Sequence, residues 1–329
     1  MEMTYERWRR KELRRRFSAV GWMLLIYYGI MNVSVFFAVF VESIIRMMGK
    51  LSAGSMDEII NVTMEAAESA WGYFLAVAVG LIILLCWKKP RFWKEEIWER
   101  GRPMHPGSFF GILCLFLSCQ AVYQTVTMLS ELILNLLGFS ILEGMEAMAV
   151  DSSNFSMFLY TGILAPISEE ILFRGLIQKS LKPYGKRFSI LCSAFTFGIF
   201  HGNLLQSPYA FLVGLVLGYV AAEYSIGWAM VLHMINNLVI ADMLNRLTKG
   251  LPETAAALVI WAVIAFFTIC AIVVVIAKRK KIAAWLRRER INGLYVKCFF
   301  SNAGMIVLMI LMGLSMILTA FLTIAPMPY

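Results

Sequence analysis

Three short clusters of this chain carry residue types that could do chemistry: Glu169, Glu170 and Arg174 in SEEILFRG, Phe197 and His201 in FGIFH, and His233 and Asn237 in HMINN. All three fall inside apolar runs that read as membrane-spanning helices, where an ionisable group is expensive and so usually has a task. Glu170 and Arg174 stand four residues apart, on one helical face, and are expected to form an ion pair. Glu169 is rotated from Glu170 by roughly 100° and must point elsewhere, which leaves it free for chemistry. Pro166 disturbs the same helix one turn earlier, and with Gly162 it marks the wall of a polar cavity, since irregular backbone at membrane depth survives only where protein or water satisfies it.

His233 and Asn237 are also four apart, so imidazole and carboxamide share a face. Of the chain's 3 histidines, His201 and His233 lie in separate spans, whereas His105 sits in a polar, Pro-flanked loop and reads as a surface residue. The plain alternative is that these side chains only make packing ion pairs and interhelical hydrogen bonds. Together, Glu169, His201, His233 and Asn237 supply a carboxylate, two imidazoles and an amide from three helices. That set suffices for peptide-bond hydrolysis. A carboxylate in an apolar setting can take a proton from water, while His and Asn can donate to the developing oxyanion. Glu169, His201 and His233 are equally a ligand set for a catalytic zinc, although the one-helix HExxH arrangement is missing. The sequence leaves metal and no metal both open. No GxSxG context is present, and Ser168 has no nucleophile setting, so serine catalysis is the weaker mechanism.

The elements that must position these residues are helices in a bilayer. The chain has 329 residues, of which 60% are hydrophobic and 16% charged, with a mean hydropathy of +0.73; a soluble domain does not look like this. Apolar stretches suited to roughly 30 Å of hydrocarbon run near Phe17 to Ile45, Trp71 to Trp87, Phe109 to Leu137, Phe155 to Ile177, Phe188 to His201, Tyr209 to Tyr224, Trp228 to Leu247, Ala255 to Ala277 and Met305 to Ala325. The expected fold is therefore an all-α polytopic bundle of about eight or nine spans. The fifth and sixth stretches are short and closely joined, and are expected to form a tight helical hairpin. The first is too long for a signal-peptide core and reads as a retained helix. The six cysteines form no CxxC pair and read as buried free thiols.

All but five of the 30 Lys and Arg lie in four segments, Arg7 to Arg16, Lys88 to Arg102, Lys179 to Arg187 and Lys278 to Lys297. A nine-span count puts all four on one side, which the positive-inside rule makes the cytoplasm, with the N-terminus inside and Tyr329 outside. Asp57, Glu58, Glu65, Glu68, Glu143, Glu146 and Asp151 then lie on the far side, while Glu131 and Asp242 read as span-end residues near water. The net charge of +9, clustered beside apolar spans, is explained by anionic inner-leaflet lipid, and no nucleic-acid partner is expected. Residues 7–16 and 278–297 read as interfacial anchors, the first as a helix preceding the first span. Residues 1–154 hold the basic segment and three spans, 155–247 hold every motif, and 248–329 hold plain apolar helices.

The clusters EEILFRG, FGIFH and HMINN resemble the EExxxR, FxxxH and HxxxN motifs of the CAAX protease and bacteriocin-processing family, also called the Abi family, of intramembrane proteases. The stretch FLVGLVLGY, Phe211 to Tyr219, is similar to the Gly-rich helix between the family's second and third motifs. The resemblance covers Pro166 to Asn237, and nothing in the motifs departs from the pattern. It implies an all-helical, glutamate-dependent protease in which Glu169 would activate water and Glu170 would assist or pair with Arg174. His201 would help place the water, His233 with Asn237 would stabilise the oxyanion, and Phe197 would pack the site. It also implies a hydrophobic or lipidated substrate, prenylated CAAX-type or bacteriocin-type, with no cofactor or with zinc. The Met-rich, Lys/Arg-rich style without a targeting peptide fits a bacterial inner membrane. Two readings from other classes are a non-catalytic bacteriocin immunity or scaffold protein, and a transporter, which would call for an internal repeat of broken helices that is not found.

Overall fold

In hydrocarbon every backbone polar group needs an internal partner, and helices supply one within each segment. In the computed structural model, residues 2–49, 56–67, 69–142, 145, 154–238 and 244–326 are described. They form α1 (Glu2–Gly49), α2 (Met56–Ala67), α3 (Trp71–Trp87), α4 (Pro106–Asn135), a bent helix α5 (Phe155–Tyr184), α6 (Lys186–Phe200), α7 (Gln206–Glu223), α8 (Ile226–Ile235), α9 (Leu244–Thr248), α10 (Glu253–Arg288), α11 (Gly293–Phe300) and α12 (Ala303–Thr323). The strands are two residues each, β1 (Phe139–Ser140) antiparallel to β2 (Ala325–Pro326). The fold is all-α. Glu68, Glu143, Glu146, Asp151 and Asp242 lie outside the described residues.

Among the described residues, five helices, α1, α4, α5, α10 and α12, are each long and apolar enough to cross a membrane, and α2 with α3, bent by 47°, makes a sixth if the pair is one span. This differs from eight or nine full-length spans. The reason is that the expected span from Trp228 to Leu247 lies partly outside the described residues, while α6 and α7 have 15 and 18 residues and are packed within the bundle. Neighbouring protein covers their backbone there, so about 20 lipid-facing residues are not required. These several apolar helices make the chain an integral membrane protein.

The four basic segments meet at one end of the bundle. Glu99 takes contacts from Lys182 at 2.8 Å and Lys179 at 3.4 Å, Glu223 pairs with Lys186 at 2.8 Å, and Arg187 donates to the Leu286 and Glu289 carbonyls. Phe17 of α1 packs on Tyr184, Phe188 and Phe299, joining α5, α6 and α11. At the other end Arg46 bridges Glu42 and Glu65. Glu131 accepts there from the Ser140 hydroxyl and the backbone of Ile141 and Leu142, closing the turn after α4.

The separate interfacial helix expected before the first span is absent. Residues 2–49 are one helix, because no Gly or Pro interrupts residues 7–17 and one-turn pairs such as Glu6 with Arg10 and Glu12 with Arg16 support the basic turns. The α6–α7 pair is the tight hairpin expected. Gly202 takes φ +59° at its turn, a conformation that glycine adopts without strain. Asn203 Oδ1 accepts from the backbone of Leu205 and Gln206 to start α7. All six cysteines are free, with Cys119, Cys192 and Cys298 buried and Cys86 exposed.

Candidate active site

Pro166 has no N–H, so one carbonyl in the preceding turn of α5 loses its helical donor. The helix widens into a π segment over Tyr160–Leu164, and the Thr161 carbonyl accepts instead from Asn237 Nδ2 at 2.8 Å. A second π segment, Ile171–Gln178, follows the glutamates directly. Such widened turns recur at functional sites because they re-aim side chains that a regular helix would space evenly.

The two glutamates point to different places. Glu170 and Arg174 are both 0% exposed and their charges meet at 3.2 Å. Arg174 also donates to the Gly214 carbonyl at 3.4 Å and lays its guanidinium 4.3 Å from the centre of the Phe197 ring. That approach is open because α7 has Gly214 and Gly218 here, and Gln178, one turn beyond Arg174, donates to the Gly218 carbonyl at 2.8 Å. Glu170 Oε2 and Arg174 Nε have no hydrogen-bond partner among the described residues. A buried carboxylate and guanidinium left partly unsatisfied make a costly pair, and one sensitive to the loss of either member.

Glu170 Oε1 also takes His233 Nδ1 at 3.0 Å. Since the carboxylate accepts, the proton is assigned to Nδ1, and Nε2 faces Glu169 Oε2 at 3.8 Å. His201 is fixed in the same sense, its Nδ1 lying 2.8 Å from the Phe197 carbonyl. Phe197 packs edge-on against both imidazoles, at ring distances of 4.8 Å from His201 and 5.8 Å from His233. Glu169, His201, His233, Glu170, Arg174 and Phe197 therefore form one cluster on α5, α6 and α8.

Asn237 stands apart from the carboxylates. Its Oδ1 accepts from Asn236 Nδ2 at 3.1 Å, Asn236 Oδ1 accepts from the Tyr209 hydroxyl at 2.9 Å, and that hydroxyl accepts from Gln120 at 3.1 Å. This polar ladder ties α4, α7 and α8 to the proline-disturbed turn of α5. His105 is exposed and precedes α4, and Glu131 is occupied at the far end.

Glu169 is 34% exposed and opens with His201 onto a cavity of about 680 Å³. Its other walls come from α1 and α3: Tyr27, Tyr28, Asn32 and Tyr73 add polar groups, Tyr160 adds one from α5, and Met31, Val35, Phe36 and Val39 line an apolar side. Sequence reasoning missed these tyrosines. Tyr27, Tyr28, Tyr73 and Tyr160 resemble ordinary span aromatics, and only the placement of α1 and α3 beside α5 turns them toward Glu169. Among the described residues, no three His, Cys, Asp or Glu side chains are grouped to hold a metal ion. No step below passes through a metal.

Residues 151–239 match the family model described as type II CAAX prenyl endopeptidase Rce1-like. No curated protein and no solved structure matches the chain. The segment that carries the glutamates, both intramembrane histidines and Asn237 is thus similar to the Rce1-like type II CAAX prenyl endopeptidases.

Proposed function

We propose that this chain is an intramembrane endopeptidase that hydrolyses a peptide bond of a hydrophobic or lipidated substrate with water activated by Glu169. The observation that carries the reading is the division between the two carboxylates. Glu170 is sealed against Arg174, whereas Glu169 faces a cavity large enough for a peptide segment and shares it with His201.

A water lying about 2.8 Å from both Glu169 Oε2 and His233 Nε2 fits between these atoms off their axis. Glu169 takes its proton while the oxygen attacks the scissile carbonyl carbon, and then returns that proton to the departing amine. Glu170 holds His233 in the tautomer that presents Nε2, Arg174 pairs with Glu170 and fixes its position, and Phe197 fixes the orientation of both imidazoles. Asn237 anchors the turn of α5 from which Glu169 projects. The apolar wall of α1 suits a substrate that enters from lipid. The shared basic end supports a cytoplasmic N-terminus by the positive-inside rule, and a bacterial inner membrane is the proposed location.

The test is cleavage of a quenched-fluorescence peptide library in nanodiscs by the wild-type chain and by Glu169→Gln, with metal content measured on the same samples. Cleavage lost in the variant and retained after chelation is the expected result. Cleavage that follows bound zinc would replace the water-activating role of Glu169 with a metal. No cleavage by a folded wild-type protein would transfer the reading to a non-catalytic immunity or scaffold role.

A further inference from the structure

Asn237 Nδ2 carries two N–H bonds, and the structure uses one of them, on the Thr161 carbonyl at 2.8 Å. The other has no hydrogen-bond partner among the described residues. It belongs to a side chain four residues, about one turn, beyond His233, whose Nε2 faces Glu169. Resting on the hydrolase reading, we infer that Gln120, Tyr209 and Asn236 are positioning residues of this enzyme, which aim that unused N–H at the carbonyl oxygen of the scissile bond.

A carbonyl oxygen only accepts, so the Thr161 carbonyl obliges Asn237 to present Nδ2 to it rather than Oδ1. That carbonyl is open because α5 is widened here. The Ala165 N–H reaches back five residues to the Tyr160 carbonyl, and the next donor in that register would be Pro166, which has no N–H. With Nδ2 committed, Asn237 Oδ1 faces Asn236 and accepts from its Nδ2 at 3.1 Å. Asn236 then offers Oδ1 to Tyr209, so the hydroxyl donates, at 2.9 Å. Having spent its one proton, the Tyr209 oxygen accepts, from Gln120 Nε2 at 3.1 Å. Every amide in the ladder thus has one orientation, since flipping any of them sets two acceptors or two donors face to face.

A single hydrogen bond to Thr161 would leave the Asn237 amide free to turn about that axis. The second, from Asn236, fixes its plane and with it the direction of the unused N–H. Asn236 is 7% exposed, and the Tyr209 ring packs on Tyr123 of α4 at 5.7 Å. Gln120 lies on α4, outside the residues 151–239 that match the family model, so a helix remote from the motifs sets the angle of a motif residue. As the water oxygen bonds to the carbonyl carbon, the π pair moves onto the carbonyl oxygen, which accepts from this N–H. The pair returns when the C–N bond breaks, and the amide neither gains nor loses a proton. A donor already aimed needs no reorganisation at that moment.

The experiment compares wild type, Tyr209→Phe, Gln120→Glu, Gln120→Met, Asn237→Ala and the double variant Tyr209→Phe with Asn237→Ala on a peptide that the wild type cleaves. Tyr209→Phe keeps the ring, so kcat should fall by about tenfold or more, short of the loss of about 10²- to 10³-fold expected for Asn237→Ala, while KM changes less than about threefold. In the Asn237→Ala background the same change should lower kcat by less than about twofold, because it acts through Asn237. A merely structural role would give the full loss again. Gln120→Glu keeps the shape but offers the Tyr209 hydroxyl an acceptor, which reverses the ladder, so it should lower kcat more than Gln120→Met, which only deletes the donor. The Gln120 variants carry the test if loss of the hydroxyl unfolds the chain. Affinity for a phosphinic peptide, which carries an anionic tetrahedral centre, should fall in step with kcat. Folded Tyr209→Phe and Gln120→Glu proteins that keep kcat within about threefold, or a loss that persists in full on Asn237→Ala, would overturn the inference and leave the hydrolase intact. A folded wild type that cleaves nothing would remove both.

Discussion

The contrast between Glu169 and Glu170 makes a quantitative prediction about stability. Glu170 and Arg174 are each 0% exposed and 3.2 Å apart. At an effective dielectric constant of about 20, two unit charges at that separation attract by about 5 kcal/mol. Removing one member leaves the other charged and buried, a change that costs about 3–5 kcal/mol. Glu170→Gln should therefore destabilise the protein by about 3–5 kcal/mol. Glu169→Gln should change stability by less than about 1 kcal/mol, because Glu169 is one-third exposed and 3.8 Å from His233. The double variant Glu170→Gln with Arg174→Met removes both charges and should recover more than half of the loss, since a buried pair contributes little compared with apolar replacement. Reversible unfolding of the three variants in one detergent reads these differences, and cleavage assays on the same preparations separate stability from catalysis. Equal costs for Glu169→Gln and Glu170→Gln would refute the assignment of a sealed pair and an open base. So would a double variant no more stable than Glu170→Gln.

Asn237→Ala should cost about 1–3 kcal/mol by orphaning the Thr161 carbonyl; in a Pro166→Ala background, where a backbone N–H is restored, it should cost less, which a double-mutant cycle measures. Gly214→Ala places a Cβ 3.0 Å from Ala194 Cα and 3.2 Å from Phe197 Cδ1, and overpacking of this kind should lower thermal stability by about 1–3 kcal/mol and reduce cleavage by shifting Phe197. At the basic end, the hydrogen bond from Lys182 holds the Glu99 carboxyl below its ordinary value. A depressed pKa gives stability that is present above the unfolded value, about 4.3, and lost as pH falls through the folded one. Since Glu99 is 57% exposed, screening limits this to below about 1 kcal/mol. Acid titration of unfolding, with and without Glu99→Gln, should show a small difference near neutral pH that shrinks in acid and in high salt.

Several features were readable from spacing alone. A spacing of four brings Glu170 and Arg174 to one helical face, and the turn imposed by adjacent positions sends Glu169 elsewhere. Grouped lysines and arginines marked one end of the bundle, and the brief link between α6 and α7 marked a hairpin. Length and hydropathy overcounted full spans, because hydropathy cannot distinguish a helix bathed in lipid from one covered by protein. The basic segment 7–16 looked separable by composition, yet helix continuity depends on the absence of a breaker, and there is none.

The sequence by itself determined that this is an all-α membrane protein and which ionisable residues lie within its apolar runs, since both follow from local periodicity and from the cost of charge in hydrocarbon. Only the tertiary structure decided the partners: that His233 turns Nδ1 to Glu170, that Asn237 goes to the Thr161 carbonyl freed by Pro166, and that tyrosines more than 130 positions apart in the chain, Tyr27 and Tyr160, share a cavity with Glu169. Those pairings depend on how helices distant in sequence are placed side by side, and the period of one helix carries no information about its neighbour.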